Sequence, residues 1–70
     1  MRIILGIHAF DMMDERKILL EEIMDVMNYP DIIVKRGYQY FYLKKLNRGS
    51  LRLCCEKTEN IIKVITLYWY

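Results

Sequence analysis

Few side chains in this sequence can do chemistry, and their types narrow what that chemistry is. His8 is the only histidine, and imidazole has an ordinary pKa near neutrality, which suits it to move protons. A lone histidine near a helix start is also commonly structural, and both readings stand at this point. Cys54 and Cys55 are adjacent. In a strand they point to opposite faces, so they form no disulfide framework and read as small buried hydrophobes. One histidine, two cysteines and no carboxylates at ligand spacing assemble no recognisable metal site. Three glycines are too sparse for a phosphate-cradling loop, and no nucleophile has a matching base. An enzyme built on this chain is expected to work without metal or cofactor.

The cations are unevenly spread. Residues 1–31 hold three basic and seven acidic side chains, a net −4, whereas residues 32–70 hold eight basic and two acidic, a net +6. Such asymmetry suggests one surface for a polyanion or an acidic partner and another that is merely solvated. No apolar run approaches the roughly 18 residues of a membrane span. The opening Met1-Arg2-Ile3-Ile4-Leu5-Gly6-Ile7 is too short for a signal peptide, so a cytoplasmic location is expected.

These groups must be positioned by a small framework, since 70 residues make one domain that buries only about 60% of its unfolded surface. From His8 to Asn28 there is no Gly or Pro, good helix formers dominate, and Ala9, Phe10, Met13, Leu19, Leu20, Ile23 and Met27 fall at helical spacing. The buried face changes near Arg16–Ile18, which predicts helix, turn, helix. Pro30 ends the second helix. Strands are predicted at Asp31–Arg36, Tyr38–Leu46, Leu51–Lys57 and Ile61–Tyr68, separated by Gly37, Asn47-Arg48-Gly49 and Glu59-Asn60. The fold class expected is α+β, with two N-terminal helices packed on one face of a three- to four-stranded antiparallel sheet.

A three-residue loop Asn47-Arg48-Gly49 sets Lys44 opposite Arg52, Tyr42 opposite Cys54 and Tyr40 opposite Glu56. A two-residue turn at Glu59-Asn60 sets Glu56 opposite Lys63. Phe41, Leu43, Leu51, Leu53, Cys55, Ile62, Val64 and Thr66 then form the core face. Tyr40, Tyr42, Lys44, Arg52 and Lys63 line the uncovered face, with Ile65 and Leu67 at its margin. Like charges facing each other across strands are unfavourable unless an anion neutralises them. Tyrosines beside a basic strip can stack on unpaired bases. The alternative is that basic side chains on an exposed sheet simply oppose aggregation.

His8-Ala9, Glu15-Arg16-x-Ile18, Glu21-Glu22-Ile23, Asn28-x-Pro30 and Lys63-Val64-Ile65-Thr66-x-Tyr68, in that order over roughly residues 7–68, resemble the domain-of-unknown-function family 4258. Its outline runs His-Ala, Arg-Gly-Ile, Glu-Glu-Val, Asn-Pro, Val-Ile-Thr-Val-Tyr. Lys17 stands where that outline has Gly, and Leu19 where a Ser or Thr cap is usual. The family is similar to the BrnT and RelE toxins, whose fold packs N-terminal helices on an antiparallel sheet. The resemblance implies a single toxin-like domain over residues 1–70, a metal-independent ribonuclease acting on single-stranded RNA in a type II toxin–antitoxin pair, and a cognate antitoxin as partner. By position His8 and Arg16 match the family's helical polar residues, Arg52 a basic position on the third strand, and Thr66 and Tyr68 its final-strand motif, which implies His8, Arg16 and Arg52 as catalytic groups. Tyr40, Tyr42, Lys44 and Lys63 are expected on the RNA from their place on the uncovered face. Along one continuous helix His8 and Arg16 would lie about 12 Å apart and on different faces. The alternative is a non-catalytic protein- or nucleic-acid-binding module of the same fold, whose C-terminal apolar margin meets an antitoxin or a second copy of the chain.

Overall fold

The computed structural model describes residues 2–70. Its elements run β1 Arg2–Leu5, α1 Ile7–Glu15, α2 Leu20–Asn28, β2 Ile32–Arg36, β3 Gln39–Leu46, β4 Gly49–Lys57 and β5 Ile61–Trp69. The strands form one mixed sheet in the order β1-β5-β4-β3-β2. β2, β3, β4 and β5 are antiparallel in succession, and β1 joins β5 in parallel. The α+β class and the two helices are as expected; the sheet has five strands rather than three or four. β1 is the strand the sequence hid, because Arg2-Ile3-Ile4-Leu5 shows no clean alternation. Ile3 and Leu5 nonetheless pack on the core, in register with Ile62 and Val64. No helix among the described residues is long and apolar enough to cross a membrane.

The helix junction falls where the buried face had to change. Ile18 N–H donates to Met13 O (2.8 Å) and Lys17 N–H to Asp14 O (3.3 Å), the two bonds of a Schellman ending. The residue that turns left-handed there is Lys17, at φ 57°. Ile18, next along, is buried at 3% exposure and supplies the apolar contact such endings favour. α2 then starts at Leu19, whose N–H donates to Glu22 Oε1 at 2.9 Å. That is half of a capping box; leucine has no side-chain acceptor for the other half.

α1 lies against β5, and α2 lies over β3 and β4. Ala9, Ile23, Val26 and Met27 meet Tyr42, Leu51, Leu53, Cys55, Ile62, Val64 and Leu67 in one cluster. Gly6 brings the two layers into close contact: its N–H donates to Val64 O at 2.9 Å, and a Cβ there would stand 3.2 Å from that oxygen.

Two single-residue shifts overturn the expected register. Asn47 and Arg48 alone make the β3–β4 turn, with Leu46 opposite Gly49, so Lys44 faces Leu51 and Arg52 faces Leu43. Every β3 side chain therefore sits on the face opposite to the one expected. The cause lies in what holds the turn. Arg48 forms a bidentate pair with Glu22 (2.8 and 2.6 Å), donates to Lys17 O, and stacks over Trp69 at 4.9 Å. The second shift is in β5. Cys54 faces Thr66 while Cys55 faces Val64, which leaves Ile65 as an extra residue, a β-bulge. Thr66 and Tyr68 consequently turn to the uncovered face, and Leu67, expected at the margin, is wholly buried. The expected pairing of Glu56 with Lys63 is present.

Candidate functional site

The bulge at Ile65 turns Thr66 and Tyr68 toward the side of the sheet where His8 and Arg16 meet them. After β1 ends, the flank of β5 is taken over by α1, so side chains from the helix meet those the bulge has turned outward. His8, Met12 and Arg16 from the α1 side and Thr66, Tyr68 and Trp69 from β5 line a single cleft. His8 and Arg16 share it because, with Met12 between them, they follow one another at four-residue spacing along one side of α1, Arg16 N–H still donating to Met12 O at 2.9 Å. The expected separation onto different faces is not found. Arg16 is the C-cap of α1, and its Nη1 donates to Leu67 O at 3.1 Å. Trp69 Nε1 donates in turn to Arg16 O at 3.2 Å. The backbone and one guanidinium nitrogen of Arg16 are thus anchored to β5, and no carboxylate among the described residues pairs with it.

Arg52 does not line the cleft itself but neighbours it across the sheet, beyond Tyr68. It stands directly across from Tyr68, with its guanidinium carbon 4.5 Å from the Phe41 ring centre and 5.6 Å from that of Tyr68. Rings on both sides stabilise the cation by their quadrupoles but satisfy none of its N–H donors. Its Nε is buried without a hydrogen-bond partner, and an unmet donor of that kind costs free energy. Arg52 is therefore a half-buried cation, unpaired among the described residues, beside the cleft.

The other expected contacts are distributed differently. Tyr40, Tyr42 and Lys44 lie on the helix side of the sheet, away from Arg52, because of the shorter turn. Tyr42 is buried, and burial pushes its phenol pKa up. Tyr40 lies beneath Lys35 and Lys57, at 5.7 and 5.5 Å. Lys44 donates to Tyr29 O at 2.7 Å and stands 3.8 Å from Asp31. All three act within the fold, so the expected face of Tyr40, Tyr42, Lys44 and Arg52 does not exist. Lys63 is on the uncovered side but stands opposite Glu56 in the strand register, four residues from Arg52 and roughly 13 Å along the strand. Phe41 and Tyr68 are the aromatic groups that do flank Arg52. Tyr68 carried a signal in the sequence, the closing Thr-x-Tyr of the final strand; Phe41 carried none, because only the turn length decides its face.

Neither cysteine is a nucleophile at this site. Cys55 is held wholly within the core, and burial pushes its thiol pKa up to about 12. Cys54, close to Arg52, is also raised by burial, which outweighs the pull of that cation.

No curated protein and no solved structure matches this chain. A family model does match, over residues 6–69, nearly the whole length with the helix junction, the bulge and the cleft included; the chain belongs to the family described as Domain of unknown function (DUF4258).

Proposed function

We propose that this chain is a metal-independent endoribonuclease for single-stranded RNA, the activity of the toxin in a type II toxin–antitoxin pair, with the cleft between α1 and β5 as its active site. The observation that carries this reading is the convergence of His8 and Arg16 with Thr66 and Tyr68, next to the unpaired Arg52. Two helices on one side of a largely antiparallel sheet are compatible with a RelE- or BrnT-like toxin, and the location that goes with this reading is the cytoplasm.

Cleavage of RNA by its own 2′-hydroxyl forms a bond from that oxygen to phosphorus and breaks the bond from phosphorus to the 5′-oxygen. One proton leaves the 2′-oxygen and one arrives at the 5′-oxygen, while negative charge grows on the non-bridging oxygens between. In this mechanism His8 takes the first proton, and the Tyr68 hydroxyl, or a water held by it, supplies the second. Arg16 and Arg52 face the charge that develops on phosphate. Thr66 offers a hydroxyl to the ribose. The products are a 2′,3′-cyclic phosphate and a free 5′-hydroxyl.

The test is an end-labelled single-stranded RNA incubated with the protein in EDTA. Cleavage to cyclic-phosphate ends is expected, slowed about 100-fold or more by His8→Ala and by Arg52→Ala. Rates unchanged in both variants would remove the assignment.

The uncovered face supports a second reading, a non-catalytic binding module. Ile32 and Val34 are exposed there on the same side as Phe41 and Leu43, and apolar surface of this kind marks interaction sites. Tight, salt-insensitive association with a small antitoxin-like protein and no cleavage of any RNA selects it.

A further inference from the structure

We propose that the chain pairs with a second copy of itself through β2, antiparallel and centred on Ile33, so that two five-stranded sheets join into one of ten strands. β2 is the terminal strand of the sheet and all five of its residues are exposed, because the helices pack over β3, β4 and β5. A free edge is a template for another strand. Here the edge comes with apolar surface on both faces, since Ile32, Ile33 and Val34 are 55%, 51% and 38% exposed.

The order of the residues selects the occupant. Asp31-Ile32-Ile33-Val34-Lys35 reads acid, three aliphatics, base. Laid antiparallel on a copy of itself with Ile33 opposite Ile33, it sets Asp31 opposite Lys35 and Ile32 opposite Val34, and twofold symmetry repeats both pairs. Ile33 and Lys35 share the helix side of the sheet with Tyr42 and Tyr40; Ile32 and Val34 share the other. Each charge thus meets its opposite and each aliphatic meets an aliphatic, the cross-strand pairs that stabilise a sheet. Moving the centre by one residue destroys the match. Centred on Val34, Ile33 meets Lys35 and Ile32 meets Arg36; centred on Ile32, Asp31 meets Ile33.

Asp31 has capacity for this role. It accepts one bond from Lys45 N–H at 2.9 Å and lies 3.8 Å from the Lys44 ammonium, with its side chain 53% exposed. An acidic strand from another protein would suit Lys35 but would set a like charge against Asp31. Self-pairing satisfies both and closes at two copies. β2 lies at the opposite edge of the sheet from β1 and α1, so the pairing leaves the His8 cleft open and is independent of the ribonuclease reading.

Sedimentation of the full chain over a micromolar concentration series tests the pairing, and a dimer is expected. Ile33→Cys should yield a disulfide-linked dimer on mild oxidation and Ile32→Cys should not, with Cys54 and Cys55 buried and out of competition. Asp31→Lys and Lys35→Asp should each weaken association by about tenfold, and the doubly exchanged chain should recover it. A wild-type monomer at every concentration, cross-linking as efficient at residue 32 as at 33, or an exchanged double variant no better than the singles would each overturn the proposal.

Discussion

At Lys17 backbone and side chain pull against each other. The residue sits at φ 57°, a conformation that costs a non-glycine residue about 1–2 kcal/mol and glycine nothing in steric terms. Its carbonyl accepts a bond from Arg48, and its N–H closes the end of α1, so the strained conformation is fixed from both sides. The family outline places glycine at this point. Lys17→Gly is therefore expected to stabilise the fold by about 0.5–1 kcal/mol, after the greater freedom of glycine in the unfolded chain is deducted. In a domain of this size that is a rise of several degrees in Tm. A thermal melt of the variant at or below wild type would show that the lysine side chain offsets the strain.

Among the elements, the tightest joint is formed by the β3–β4 turn, the start of α2 and the end of β5. Glu22 accepts from Arg48 and from Leu19 N–H. The Arg48 guanidinium, aided by that backbone bond, holds the Glu22 carboxyl below its ordinary pKa although partial burial works the other way. Because the folded pKa is the lower one, the folded state binds fewer protons than the unfolded state across that interval. The contribution is fully present above the ordinary carboxylate value of 4.5 and is lost as pH falls through the folded value. Urea melts should accordingly show Glu22→Gln clearly less stable than wild type at pH 7, and the gap should narrow below about pH 4. A gap independent of pH would mean that Glu22 acts through packing alone. The same joint explains which elements were legible in the sequence. Helical spacing, Pro30 and the Glu59-Asn60 turn placed α1, α2 and the ends of β2 and β5 closely. The face of β3 depended on whether Gly49 belongs to the turn or to the strand. Contacts of Arg48 to Lys17 and Glu22, 31 and 26 residues away, decide that, and no local pattern carries them. The bulge at Ile65 is equally silent, since Val64-Ile65-Thr66 alternates as any strand does. His8, Arg16 and Arg52 were singled out, whereas Phe41 and the outward turn of Tyr68 were not.

For the molecule as a whole, cohesion runs through β4, the middle strand of five, where Leu51, Leu53 and Cys55 are completely buried. Cys54 and Cys55 lie at the centre of that strand and point to its two faces, so one thiol samples the helix-covered core and the other the uncovered side. On the covered side, Cys55 Sγ is 3.9 Å from Met27 Sδ. On the other, Cys54 is 6% exposed with Phe41 and Thr66 as its cross-strand neighbours. Local opening at an edge, such as fraying of β1 or β2, uncovers neither thiol; both require separation of the central strands, which in so small a domain is global unfolding. Burial also raises both thiol pKa values, so thiolate, the reactive form, is scarce in the folded state. Native protein at pH 8 should therefore resist iodoacetamide at both positions. The two alkylations should appear together as urea is added, following the unfolding curve measured by circular dichroism. Fast modification of Cys54 alone in the native protein would mean that the uncovered face opens independently of the core, and that the sheet does not unfold as one unit.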